Sequence, residues 1–284
     1  MKQEIDFIKV NPTQNMTILV KSNYSVEKYK DIASKMMAYD SVYAEQVGFI
    51  AKPANKQAAA RLQMAGDEFC GNACMALAAL IAAEKGLKQN DLTEIVLEVS
   101  GTDSLIMCQV KKTSDEYYCQ VTMPIPKKIE QKTIKYDGND LNIIIVRYQE
   151  FIHIVIEVDE FSKTVREKAQ SLAKLLGVTL GAGLIGILLY NPDSYELAPL
   201  IYVPYLDSMI WERGCGSGTA SIGAYLAWKK KGEIVAKIKQ PGGTINVFAT
   251  YDIEEITSLS IEGAVGIVAQ GKAFIDVNQN NIVR

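Results

Sequence analysis

The sequence predicts an α+β protein made of two copies of one unit, each organised around a buried helix. Three observations carry this expectation. Residues 64–85 (MAGDEFCGNACMALAALIAAEK) and 211–231 (WERGCGSGTASIGAYLAWKKK) share one design: a cysteine at the mouth of a small-residue turn, then a long Ala-rich helical run. The two cysteines, Cys70 and Cys215, stand 145 positions apart, about half of the 284-residue chain. Short segments of strand character flank both runs, as expected of a repeated supersecondary plan.

Taken in order, residues 5–10 and 16–21 read as strands joined by the polar turn NPTQN. Residues 26–37 have helical spacing, residues 46–52 read as a strand, and residues 61–64 lead into the first cysteine unit. Its helix closes at Gly86, where a left-handed cap is expected. Strands follow at 94–100, 104–111 and 117–123, the first two joined by a hairpin at Ser100-Gly101. Pro124 and Pro126, followed by Lys127 and Lys128, mark a boundary, giving domains 1–126 and 127–271 with a final strand near 272–284 returning to the first.

The second half repeats the order. Residues 141–147 and 151–158 read as strands, 161–176 as an amphipathic helix, and 183–190 and 200–203 as strands leading into the second cysteine unit. Its helix is expected to cap at Gly232, with Lys229, Lys230 and Lys231 complementing the negative helix end. Beyond lie strand segments at 236–239, 244–249, 258–261, 266–270 and 273–277, with a turn at Gln240-Pro-Gly-Gly. Both central helices are apolar nearly all round, which is the pattern of a buried helix. Gly101 and Gly242 fall 31 and 27 residues past their cysteines, so the turn after each helix also corresponds.

Bulk properties narrow the function. With 48% apolar and 22% charged residues and a net charge of −3, the chain has an ordinary globular composition and no basic block suited to nucleic acid or an anionic membrane. The N-terminus lacks the apolar core of a signal peptide, and no apolar run reaches membrane-spanning length. Five cysteines in no zinc spacing fit reduced thiols, hence a cytoplasmic protein without a structural metal. One histidine rules out a histidine-rich metal site.

A thiol at a helix N-terminus sits beside N–H groups that have no partner within the helix. That environment is expected to lower its pKa from about 8.5 toward neutrality, and the same groups bind carboxylates. Two such units hold an amino acid's carboxylate between two helix ends, with a sulfur on each face of the α-carbon and the active site at their seam. Racemisation removes a proton from one face and delivers one to the other, which a thiolate and a thiol do together. Charge developing on the carboxylate falls to the helix-end donors of Gly71, Asn72, Gly216 and Ser217. This acid–base logic needs no cofactor, and no pyridoxal-binding signature is apparent.

With CGN and CGSGT each heading a helix half a chain apart, the sequence resembles the cofactor-independent amino-acid racemases and epimerases of the diaminopimelate epimerase fold, through most of its length. That fold implies two pseudo-symmetric repeats, each a barrel-like sheet around its central helix. By the resemblance, Asn15 and Gln46 contact substrate, with Glu45 in the family's acidic position beside Gln46. His153 falls at the Asn-Pro-His strand, and Glu212 and Arg213 match the Glu-Arg pair ahead of the second cysteine. His153 and Glu212 would each poise one catalytic cysteine, and Arg213 would contact substrate. The segments LIYVPYLDSMIWERGCGSGTASIG, GDEFCGNA and QPGGTINV are most similar to histidine racemases that supply D-histidine for staphylopine-type metallophores. This implies interconversion of L- and D-histidine, with a homodimer as a possible assembly.

Departures bear on the substrate. Met64 stands where an asparagine holds the distal head of diaminopimelate, and Phe151-Ile152 replaces the polar part of Asn-Pro-His. A site without partners for a second charged head rejects it, because the head would be buried unpaired. Diaminopimelate epimerisation, another isomerisation on this fold, and a silent amino-acid-binding protein are the competing readings. Residue by residue, the cysteines could be buried structural thiols, His153 a core histidine, and Glu212 and Arg213 a surface pair. Cys74, Cys108 and Cys119 read as core.

Overall fold

A computed structural model describes residues 2–21 and 24–276. The chain divides into two compact units, one taking in the chain up to Val121 and again from Ala264, the other Thr122–Gly263.

In the first unit, β1 (Lys2–Pro12) turns back into β2 (Thr17–Val20), and α1 (Tyr29–Met37) precedes β3 (Gln46–Ala51) and β4 (Ala60–Met64). Then come α2 (Gly71–Glu84), β5 (Leu92–Val99), β6 (Ile106–Lys112) and β7 (Tyr117–Thr122). The strands lie side by side in chain order, with β2–β3 and β4–β5 parallel and the other pairs antiparallel. Helix α2 touches all of β1 to β6. Six strands at about 4.8 Å spacing are far wider than one helix of about 10 Å diameter, so the sheet must curl around it. That is why α2 is apolar on every side and buried from Gly71 to Leu80. The outer face of β3 is covered by α1, where Tyr29 stacks on Phe49 with ring centroids 3.7 Å apart. Covered on both faces, β2 shows no polar alternation.

The second unit runs β8 (Lys128–Tyr136), β9 (Asn139–Arg147), β10 (Ile152–Glu157), α3 (Lys163–Leu180), β11 (Ile185–Asn191), β12 (Glu196–Val203) and β13 (Ser208–Trp211). After these come α4 (Gly216–Lys230), β14 (Glu233–Gln240), β15 (Gly243–Asp252) and β16 (Glu255–Asp276), whose residues from Ala264 onward belong to the first unit. Its strand order is β8-β9-β10-β11-β12-β14-β15-β16, with β13 paired to β12. Helix α4 packs against β9, β10, β11, β14 and β15, and α3 covers the opposite face at β11 and β12. Helix α4 sits so close to β15 that a Cβ at Gly223 would come within 2.2 Å of Val247.

The three strand segments read between 258 and 277 are one strand of 22 residues, β16. Its glycines do not break it; from Val265 onward it pairs antiparallel with β1, with one extra residue at Val268 forming a bulge. The expected continuation past Asp276, including Val277, lies outside the described residues. Strand β8 was missed because it is an edge strand of mostly charged and polar residues, which is how exposed edges avoid unwanted pairing. Helix α3 runs four residues further than expected, to the left-handed Gly181. Gly86 caps α2 with φ +71° as expected, but α4 is capped by Lys231 at φ +58°, not by Gly232. Lys231 holds that conformation with its N–H on Ala227 O, its ammonium 3.0 Å from Tyr251 Oη, and the faces of Trp228 and Tyr251 beside it.

Candidate active site

In the first unit, Cys70 is the N-cap of α2. Its backbone is extended (φ −134°, ψ 108°) and its carbonyl accepts from Cys74 N–H at 3.0 Å. Gly71 and Asn72 follow as the first helical residues, both buried. The Cys70 thiol donates to Gln46 Oε1 at 2.8 Å. Gln46 in turn donates through Nε2 to Asn15 Oδ1 and Thr17 Oγ1, both at 2.7 Å. Asn15, Gln46, Cys70, Gly71 and Asn72 are therefore gathered in one place. Asn15 owes its position to a turn in which Thr13 and Gln14 both have positive φ, with Asn15 N–H on Pro12 O and Gln14 N–H on Asn11 Oδ1. A β-branched residue in the left-handed region is strained, and such strain gathers at functional sites.

The segment before Cys70 is pinned by the β5–β6 hairpin. Ser100 Oγ accepts from Met64 N–H and donates to Glu68 O, each at 2.9 Å. Gly101 (φ +75°) lies against Phe69 so tightly that a Cβ there would stand 2.1 Å from Phe69 N.

In the second unit Cys215 is the N-cap of α4, again extended (φ −108°, ψ 108°) and only 2% exposed. Its sulfur accepts from Gly218 N–H at 3.2 Å and lies 3.5 Å from Ser217 Oγ. Its own N–H donates to Gln240 Oε1 at 2.7 Å, while Gln240 Nε2 donates to Thr219 Oγ1 at 2.8 Å. Thr219 Oγ1 closes the ring by donating to Cys215 O at 2.7 Å. A hairpin after the helix thus reaches back to the cysteine here too: Gly242 N–H also bonds Arg213 O at 2.7 Å. The Arg213 guanidinium is directed at Pro241 O, 3.3 Å away.

The helix N-terminus does not lower the Cys215 pKa as expected. Burial pushes this thiol well above its ordinary value, and the Glu212 carboxylate beside it adds to the rise. The Ser217 and Gly218 hydrogen bonds oppose this and lose. Burial therefore favours the thiol form of Cys215, with the Glu212 carboxylate next to it.

His153 lies in β10 with no exposed surface, its Nδ1 2.8 Å from Ser221 Oγ, which is also 3.0 Å from Tyr148 Oη. Room for the ring comes from its neighbour across β11: a Cβ at Gly186 would stand 2.5 Å from His153 Cδ2. Burial pushes the pKa of His153 down to about 3, so the ring is neutral. Phe151 packs between Tyr148 and His153, with centroids 4.3 and 4.8 Å away. Thr17, Ser221 and Thr219 were not singled out by the sequence, and Ser100 and Gln240 only as turn residues. Thr219 bonds Cys215 O four residues back, and the others act on a cysteine unit or on His153 through partners distant in the chain, which leaves no local signature.

Among the described residues no helix is long and apolar enough to cross a membrane, and no three His, Cys, Asp or Glu side chains are grouped to hold a metal ion.

With this geometry in view, the sequence profile of the histidine racemase CntK N-terminal domain matches residues 4–274. The chain belongs to the histidine racemase family. Within the family, a histidine racemase of Staphylococcus aureus (strain Mu50 / ATCC 700699) is 33% identical over 277 residues, covering 97% of this chain and 99% of that protein. A histidine racemase of Fusobacterium nucleatum subsp. nucleatum (strain ATCC 23726 / VPI 4351) is 31% identical over 278 residues, covering 96% and 98%. Among solved structures, a hydroxyproline epimerase from Agrobacterium vitis with bound trans-4-OH-L-proline superposes with TM-score 0.72 at 11% identity, over 98% of this chain and 95% of that one. The family member described here therefore has the sheet-dominated α+β fold seen in racemases and epimerases.

Proposed function

We propose that the protein is a cofactor-independent racemase that interconverts L- and D-histidine, with Cys70 and Cys215 as its two acid–base groups. The observation that carries this reading is the matched pair of cysteine caps, Cys70-Gly-Asn on α2 and Cys215-Gly-Ser on α4, in a chain of the histidine racemase family. Family membership supports histidine as substrate. The buried apolar Met64 and the aromatic Phe151 support an uncharged distal side chain rather than a second amino-acid head.

In the reaction, one cysteine acts as thiolate and takes the α-proton. The C–H electron pair moves into the carboxylate as an enediolate, and the other thiol protonates the α-carbon from the opposite side, becoming the thiolate. First-turn N–H groups of Gly71, Asn72, Gly216 and Ser217 stabilise the developing carboxylate charge. Glu212 takes and returns the Cys215 proton; its carboxylate acting on that thiol supports the role. Asn15 orients substrate together with Gln46. Arg213 and the neutral His153 support the second cysteine unit through the Gln240 hairpin and Ser221.

We also take the two units to be copies of one plan, each a sheet wrapped around a cysteine-capped helix and each supplying one acid–base group. The small-molecule substrate is the only partner this mechanism requires; the net charge of −3 speaks against nucleic acid. A cytoplasmic location, a homodimeric assembly and a supply of D-histidine to metallophore synthesis complete the proposal.

Chiral chromatography of L-histidine and of L,L-diaminopimelate incubated with the protein tests it. Racemised histidine and untouched diaminopimelate are expected, with Cys70→Ala and Cys215→Ala each lowering kcat/KM by about a thousandfold while circular dichroism stays unchanged. Racemisation of histidine at near-wild-type rate by either variant would contradict the two-cysteine assignment.

A further inference from the structure

Gln46 makes three short contacts, and together they fix which way round its amide lies. Thr17, fully buried, gives its only hydroxyl hydrogen to Asn15 O at 3.1 Å. Toward Gln46 it can therefore only accept, so the Gln46 atom 2.7 Å from Thr17 Oγ1 is Nε2. The same nitrogen donates to Asn15 Oδ1, and Asn15 is 2% exposed and held by the turn at Thr13-Gln14. With both amide hydrogens engaged, Oε1 is left facing Cys70 Sγ at 2.8 Å. A carbonyl oxygen carries no hydrogen, so the hydrogen between these atoms belongs to the sulfur. On the side of Gln46, a thiolate in the same place would confront lone pairs.

We propose that Gln46, locked by Thr17 and Asn15, is a positioning residue that holds Cys70 in its protonated form, so that Cys70 enters the reaction as the proton-delivering thiol. The consequence for turnover rests on the racemase reading above; the claim about the thiol does not. In the opposite direction Cys70 must become the thiolate, and the Gln46 amide then has to give way. A hydrogen bond to the neutral form of an acid disfavours its ionisation, so changes at Gln46 and Thr17 have a sign.

The test is the pH dependence of iodoacetamide alkylation of Cys70 in the free protein, followed peptide by peptide by mass spectrometry. Cys74, Cys108, Cys119 and Cys215 are buried, whereas Cys70 is half-buried. In Gln46→Leu the acceptor is gone, and Cys70 is expected to react about fivefold faster at pH 7, with the midpoint of its curve moved to lower pH. Thr17→Val, which frees the amide to turn its N–H toward the sulfur, moves the midpoint the same way. Gln46→Glu, which places an anion against the thiol, moves it to higher pH. The alkaline plateau reports accessibility, so a variant that merely loosens the site alters the plateau and leaves the midpoint in place. Unchanged midpoints, or Gln46→Glu reacting faster than wild type at pH 7, overturn the proposal. If Gln46→Leu does not fold, the order of Thr17→Val, wild type and Gln46→Glu decides it alone. Because alkylation needs no substrate, these results stand apart from the chirality assay: either claim can fail while the other holds.

Discussion

A histidine ring with no exposed surface makes the protein acid-sensitive, and the sign follows from where its proton is bound. Burial depresses the pKa of His153 to about 3, below its ordinary value of 6.5. Between these values the unfolded chain holds the extra proton and the folded chain does not, so folding stability falls as pH falls through that window. Wild type is expected to lose about 2 kcal/mol more than His153→Gln between pH 7 and pH 5 in urea unfolding. Equal losses would mean that the ring is protonated in the fold.

Cys215 has the opposite displacement: burial and Glu212 raise it, so its thiolate is scarce near neutrality and gains population as pH rises. The kcat/KM for histidine should therefore climb on the alkaline side of neutrality. In Glu212→Gln the rate should fall, because the proton acceptor is lost, while the midpoint of that climb moves to lower pH, because the anion is lost. A midpoint that stays in place or rises would remove Glu212 from its role. The placement of Cys70 and Cys215 at helix N-termini was legible in the sequence because a cysteine, a glycine turn and an apolar helix are neighbours in the chain. The raised thiol was not, because burial and a carboxylate at its side are properties of the fold.

Each central helix is steadied by the hairpin that follows it in the chain. In one unit the contact is Ser100 and Gly101 against residues 64–69; in the other it is Gln240 and Gly242 against Arg213 and Cys215. Gly101 has a positive φ and stands against backbone. Gly101→Ala is therefore expected to cost about 2 kcal/mol or more in stability and to reduce activity by displacing the segment before Cys70. Gln240→Leu leaves the buried Cys215 N–H without its acceptor and should cost about 1–3 kcal/mol. Thermal and urea melts check both, and wild-type stability in either variant would show the hairpin to be dispensable. The turns themselves were readable from Ser100-Gly101 and Gln240-Pro-Gly-Gly, but their reach back to the cysteines was not, since it joins positions 25 to 36 residues apart. Strand β8 escaped for a different reason: its polar edge carries no alternation to read. The segments of β16 were read as separate strands because its glycines resemble breaks, whereas pairing with β15 and then with β1 carries it through them.

At the scale of the whole chain, the α+β class and most of the strand and helix order followed from periodicity and turn residues, and the chain belongs to the family that the sequence resembled. A sheet wide enough to curl around a helix explains why the two most apolar helices sit innermost and why their N-termini are the places where polar chemistry can be concentrated. All of this matters for function only if the two cysteines divide the proton transfer between them. The most direct measurement is racemisation of L-histidine in D₂O, stopped after a small fraction has turned over. D-histidine carrying deuterium at its α-carbon is expected, while the remaining L-histidine still carries protium. D-histidine that retains the original α-protium would contradict that division of the proton transfer.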